Sequence, residues 1–147
     1  MEHTLLLTDA ADDEIRNAVL APLVEYDASA AGPSHGRPIA VLVKDHAGAI
    51  VGGLWGHSGY GWLFTQLLVV PAALRGRGLG TEIMRLAEHE AVQRGCCNAW
   101  LDTFEFQARG FYERLGYACF GELPQYPVGF SRYFMKKVLA SDAGQST

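Results

Sequence analysis

The stretch Val70-Pro71-Ala72-Ala73-Leu74-Arg75-Gly76-Arg77-Gly78-Leu79-Gly80-Thr81 constrains this chain more than any other. Before it, residues 60–70 (YGWLFTQLLVV) alternate like a strand; after it, Leu79, Ile83, Leu86, Ala87 and Glu90 recur at helical spacing within residues 76–94, with Gly95 as the stop. The three alternating glycines, Gly76, Gly78 and Gly80, remove side chains where a backbone must approach a ligand, and they leave N–H donors free at the positive end of a helix. Such a place binds phosphate. Hydrogen bonds to a charged acceptor contribute about 1.5–3 kcal/mol each, so several together hold a pyrophosphate without a lysine. Arg75 and Arg77 add charge. A lysine-type phosphate loop is excluded because the chain has no Gly-Lys dipeptide, and a dinucleotide fingerprint fails because its third glycine would have to replace Thr81 or Ile83. A plain turn without a ligand is the alternative reading of the segment taken alone.

The rest of the chain arranges itself around this joint. Residues 4–9 read as a short strand, Asp9 as the cap of a helix from Ala10, Pro22 as a break that splits that helix, and residues 28–38 (ASAAGPSHGRP) as a surface loop. IAVLVKD and AIVGGLWG form a hairpin. In the strand that follows, period-two alternation puts Tyr60, Trp62, Phe64 and Gln66 on one face and Leu63, Thr65, Leu67 and Val69 on the other. Residues 96–104 read as a buried strand, residues 107–115 as a helix with Ala108, Phe111, Tyr112 and Leu115 on one face, and YACFGEL pairs with GFSRYFMKKVL across a loop holding Pro124 and Pro127. The layout is α/β with a mixed sheet, in one domain over residues 1–140, followed by a tail, residues 141–147, read as disordered.

Of 147 residues, 49% are hydrophobic and 19% charged, enough for a real core. The longest apolar run, residues 67–74, is 8 residues with a proline inside it, against the roughly 20 needed to span a bilayer. The acidic first thirteen residues lack an export signal, so a cytoplasmic location is expected. Cys96, Cys97 and Cys119 are an odd set, two of them adjacent, and read as small core residues in a reducing compartment. The net charge of -4 disfavours nucleic acid and anionic membrane surfaces as partners.

Two segments carry a specific resemblance. Arg75-x-x-Gly78-x-Gly80, after a strand and opening a long helix, resembles the acyl-CoA-binding signature of the GNAT superfamily of N-acetyltransferases. Phe111-Tyr112-Glu113-Arg114-Leu115-Gly116-Tyr117, with Ala108 before it, resembles that superfamily's helix-and-strand segment after its fifth strand. The element order agrees over nearly the whole chain, and the match is tight over residues 67–117. Two departures stand out. Three residues separate Pro71 from Arg75 where the family usually has two, so the turn is expected to bulge, and Glu105 stands where many members have asparagine.

The resemblance implies a single-domain α/β (α+β) fold, with a mixed, mostly antiparallel sheet of about six to seven strands and about four helices. It implies acetyl-CoA as cosubstrate, its pyrophosphate on the backbone of Arg75, Gly76, Arg77, Gly78, Leu79, Gly80 and Thr81, and its pantetheine arm along the main chain of Leu68 and Val70. Tyr112 matches the tyrosine that protonates the departing thiolate and closes on the cofactor. Strand residues 60–70 offer no carboxylate or histidine as base, so Asp102, Glu105 and His57 are the candidates. Trp55, Tyr60, Trp62, Phe64, Asp102 and Tyr126 are candidate acceptor contacts, suited with Glu122 to a small cationic amine; aromatic stripes of this kind also form cores. No metal is invoked. The leading expectation is direct acetyl transfer to a primary amine of a small molecule. A protein or peptide acceptor and a non-catalytic CoA-binding module are the alternatives. A homodimer through C-terminal strands, residues 130–139, is compatible with their apolar character.

Overall fold

The computed structural model describes residues 1–140. Its contacts group into two compact units, Met1–Ser34 and the chain from His35 onward, dividing inside the segment that the sequence marks as a loop. In the first unit the predicted strand at residues 4–9 is absent, and helix α1 runs over Asp13–Ala31. Asp12, not Asp9, is its cap, with its carboxylate accepting from the Ile15 N–H at 2.9 Å. Pro22 does not split the helix. It deletes one backbone hydrogen bond, but the alanines and leucines on either side keep the helix continuous to Gly32.

The second unit is a six-stranded sheet with order β1-β2-β3-β4-β6-β5: β1 (Arg37–Lys44), β2 (Ile50–Gly59), β3 (Trp62–Val69), β4 (Asn98–Phe104), β5 (Ala118–Leu123) and β6 (Arg132–Val138). Only β3 and β4 pair in parallel. Helices α2 (Leu79–Gln93) and α3 (Arg109–Arg114) supply the core with Ile83, Met84, Ala87, Ala91 and Tyr112, packed with Leu54, Leu63, Ala99, Leu101 and Met135 of the sheet. The described residues hold three α-helices in place of the expected four or so, while the mixed, mostly antiparallel sheet is as expected. Helix α2 turns its Ile83/Met84/Ala87/Glu88/Ala91 stripe inward and leaves Leu86 60% exposed, because the sheet takes the face centred on Ile83 and Ala87. Cys96 is buried, Cys97 half-buried and Cys119 exposed on the edge strand β5. Strand β6 lies between β4 and β5, so its edges are already taken, and β5 is the C-terminal edge.

Alternation along β3 holds only as far as Thr65. Trp55 of β2 faces Leu67 and Gly56 faces Thr65, so Gln66 is an extra residue, and the bulge reverses the phase beyond it. Leu68 therefore packs on the core, while Leu67 and Val69 are more than half exposed, the reverse of the expected faces. Gly56 admits the bulge because a Cβ there would strike the carbonyl oxygen of Phe64.

A buried polar knot ties α2 to the C-terminal strands. Glu88, 9% exposed, accepts from the Tyr117 hydroxyl and from the Lys137 ammonium, each at 2.8 Å.

Candidate active site

Strands β3 and β4 pair only from Trp62 and Asn98 to Thr65 and Leu101. Beyond that point β3 stays with β2 as far as Val69, and β4 stays with β6 as far as Phe104. The facing edges of residues 66–69 and 102–104 are thus not joined to each other, and a wedge opens between them. An extended chain carrying amides can enter such a wedge and add hydrogen bonds like a strand.

At the mouth of the wedge the chain turns through Pro71 into one 3-10 turn, Ala72–Leu74, which takes up the extra residue between Pro71 and Arg75 without a wider bulge. Arg75 folds its Nε back onto the Val70 carbonyl at 3.1 Å, fastening the turn to the strand end. Gly76 and Gly78 have φ of 78° and 77°, a region that favours glycine, and nothing lies within 4 Å of where their Cβ atoms would be. Gly80 is different. A Cβ there would sit 3.2 Å from the Phe111 ring and 3.4 Å from the Val70 side chain, so this glycine serves close packing of α2 on α3. The first-turn N–H groups of α2 remain available to an anion at the end of a 15-residue helix.

Tyr112, on α3, is 8% exposed, with its ring edge-on to Phe111 and Tyr117. Its hydroxyl has no hydrogen-bond partner among the described residues. Burial, and then the negative charge of Asp102, push its pKa up to about 12 from the usual 10. The phenol is therefore neutral and proton-bearing throughout the physiological range. The shift also has a stability consequence: the folded chain holds this proton more tightly than the unfolded chain, so stability falls as pH rises from 10 toward 12, by roughly 2–3 kcal/mol for this group. Denaturation midpoints measured across pH 9–12 should drop, and Tyr112→Phe should flatten part of that drop; identical profiles would contradict the burial argument.

Two of the three candidate bases, Asp102 and Glu105, are engaged in hydrogen bonds. Asp102 Oδ1 accepts from Arg132 Nε at 2.9 Å and Nη2 at 2.6 Å. Glu105 accepts from the Ser131 N–H at 3.2 Å and the Tyr133 hydroxyl at 3.4 Å, while its own N–H donates to the Ser131 carbonyl. It staples the β5–β6 loop to the end of β4. His57 lies edge-on to Phe64, whose ring stacks on Trp100 at 4.2 Å.

The candidate acceptor residues separate into groups. Asp102 and Tyr126 meet at the open end, where Phe104, Phe106, Phe130 and Arg132 join them; the Arg132 guanidinium lies 4.9 Å from the Tyr126 ring centre and 5.1 Å from that of Phe104. Trp55, His57 and Phe64 share the sheet face turned away from the core. Tyr60, in the β2–β3 turn, and Trp62 stand at the paired end of β3, so the structure does not bring them to the wedge. Trp62 lines a shallow groove with Trp100, Phe120, Phe134 and Lys136 instead. Arg132 escaped the sequence reading because only the β4–β6 register sets it opposite Phe104 and beside Asp102.

Among the described residues no group of His, Cys, Asp and Glu is placed to hold a metal, and no helix is long and apolar enough to cross a membrane. A bare strand edge leading into a glycine turn and a helix N-terminus, beside a neutral phenol, fits an amide-bearing diphosphate such as a CoA thioester.

Residues 7–117 match the sequence model of the acetyltransferase (GNAT) family. The chain belongs to this family. An acetyltransferase of Agrobacterium fabrum (strain C58) is 38% identical over 132 residues, covering 90% of this chain and 96% of the relative. The blasticidin-S acetyltransferase of Streptomyces morookaense is 41% identical over 107 residues, covering 70% of this chain and 79% of that one. A crystal structure from Agrobacterium tumefaciens superposes with a TM-score of 0.87 at 37% identity, covering 92% of this chain and 99% of its own. GNAT membership makes the protein an acyltransferase, and the alternative of a binding module without catalysis falls away.

Proposed function

We propose that this GNAT enzyme transfers an acetyl group from acetyl-CoA to a primary amine of a small molecule, by direct attack with both substrates bound. The observation that carries the reading is the convergence of the β3–β4 wedge, the glycine turn and the partnerless hydroxyl of Tyr112. Acetyl-CoA supplies the activated thioester. The N–H groups of residues 75–81 hold its pyrophosphate, and the main chain of Leu68 and Val70 pairs with the pantetheine arm. A free amine forms the new C–N bond as the C–S bond breaks, and Tyr112 Oη gives its proton to the departing sulfur.

An alkylammonium must first lose a proton, which corresponds to roughly 4–5 kcal/mol at neutral pH for a pKa near 10.4. The ion pair to Arg132 suits Asp102 to orienting the acceptor, and the backbone staple suits Glu105 to positioning the loop wall, so the proton leaves through water. Support for a small acceptor comes from the blasticidin-S acetyltransferase relative and from the compact aromatic wall of Phe104, Phe106, Tyr126 and Phe130.

The test is thiol release from acetyl-CoA against blasticidin S, polyamines, aminoglycosides, amino acids and short peptides, with product masses. A small amine turned over at least tenfold more efficiently than any peptide is the expected result. Preference for a peptide would move the acceptor to the protein class, and no amine-dependent release would defeat the reading.

A further inference from the structure

We propose that the Thr65 hydroxyl is a hydrogen-bond donor to the acyl carbonyl oxygen of bound acetyl-CoA. The inference rests on the acetyl-CoA reading above and adds to it a side chain that neither the sequence motifs nor the family match singles out.

Thr65 is the last β3 residue paired with β4, opposite Leu101, and the bulge at Gln66 begins immediately after it. It therefore stands at the apex of the wedge. The residue is 4% exposed, and its Oγ1 is the one buried side-chain N or O atom among the described residues without a hydrogen-bond partner. A hydroxyl buried in this state has given up its water partners without gaining another, and a valine of nearly the same shape would avoid that cost. Its neighbours show what an ordinary buried hydroxyl does here: on β4, Thr103 is 2% exposed and bonds Gln107 Oε1 at 3.3 Å. Thr65, unlike Thr103, keeps its donor unspent.

The direction of the wedge says what would meet it. With a pyrophosphate at the glycine turn, an extended arm enters beside Val70 and runs back along β3; at about 3.3 Å per residue, Thr65 lies roughly 15 Å further in. The part of the cosubstrate that reaches this depth is the thioester end. Its polar atom able to accept a hydrogen bond from an alcohol is the acyl carbonyl oxygen, which gains negative charge as the amine attacks. A donor fixed by the sheet and shielded from water is worth most at such an atom. The neutral Tyr112 phenol serves the sulfur of the same group, so these two hydroxyls, neither with a partner among the described residues, would divide the two reacting atoms between them.

Calorimetric titration of the full-length protein with acetyl-CoA and, separately, with CoA tests this, alongside thermal melts of each variant. Thr65→Val should keep or raise the Tm, bind CoA as the parent does, and bind acetyl-CoA about tenfold more weakly, the effect of one lost hydrogen bond. Thr65→Ser keeps the hydroxyl but loses a packed methyl, so it should lower the Tm and hold acetyl-CoA within about twofold of the parent. This crossed pattern separates a ligand contact from a packing role. Equal weakening of CoA and acetyl-CoA, or unchanged affinity for both, would overturn the assignment of Thr65 while leaving the cosubstrate reading intact. A parent protein that binds neither would overturn that reading and this inference together.

Discussion

Tyr112→Phe is expected to lower kcat by about 10²-fold or more, with the affinity for acetyl-CoA changed less than threefold. The substitution keeps a ring that is packed against Phe111 and Tyr117 and removes only an oxygen that makes no hydrogen bond among the described residues. The folded chain loses little by it. The transition state loses a proton donor placed at the departing sulfur, a contribution typically worth 10²–10⁴-fold. Because burial keeps the phenol protonated to about pH 12, the parent's kcat should rise with pH as acceptor amine is freed and show no descending limb from this group below pH 11. Steady-state rates over pH 6–10.5 and acetyl-CoA titrations check both parts. A variant with parental kcat would remove Tyr112 from the chemistry and leave it as a core aromatic.

The second large effect concerns stability. Glu88→Ala should destabilise the fold by about 3–5 kcal/mol, which for a chain of this length lowers Tm by roughly 6–20 °C. Glu88 receives both the Tyr117 hydroxyl and the Lys137 ammonium. Burial, followed by the adjacent Glu88 charge, raises the pKa of Tyr117 well above its usual value, so this hydroxyl is a committed donor. Deleting the carboxylate leaves a buried hydroxyl and a part-buried ammonium without an acceptor. Glu88→Gln keeps one acceptor oxygen and should fall between the two. Thermal melts at pH 7 decide it, and an alanine variant within 1 kcal/mol of the parent would show that the knot contributes little to holding α2.

The sequence disclosed the joint that matters most. A strand end, three spaced glycines and an amphipathic helix are local features, and the structure places them in that order. The helix that carries Tyr112 is legible for the same reason, since it and the Gly116 stop lie within ten residues. What escaped depends on pairings distant along the chain. The bulge at Gln66, which reverses the faces of Leu67 and Leu68, follows from the close approach of Gly56 to Phe64 in the neighbouring strand. The engagement of Asp102 follows from its being opposite Phe134, which brings Arg132 alongside. The candidate acceptor aromatics are divided by topology between the two ends of the β3–β4 pairing, Tyr60 and Trp62 at the joined end and Tyr126 at the open end. Helix α1 shows the limit of local rules in another way: Pro22 is a break by local rules, but the propensity of its neighbours sustains the helix.

The central claim is that the β3–β4 wedge and the glycine turn receive acetyl-CoA. Amide chemical shifts of isotopically labelled protein, recorded during titration with acetyl-CoA, test it most directly. The largest changes should fall on residues 66–81, with a second set at residues 102–104 and on Tyr112. Changes confined to the outer groove at Trp62, Trp100 and Phe134, or none at saturating acetyl-CoA, would contradict the assignment.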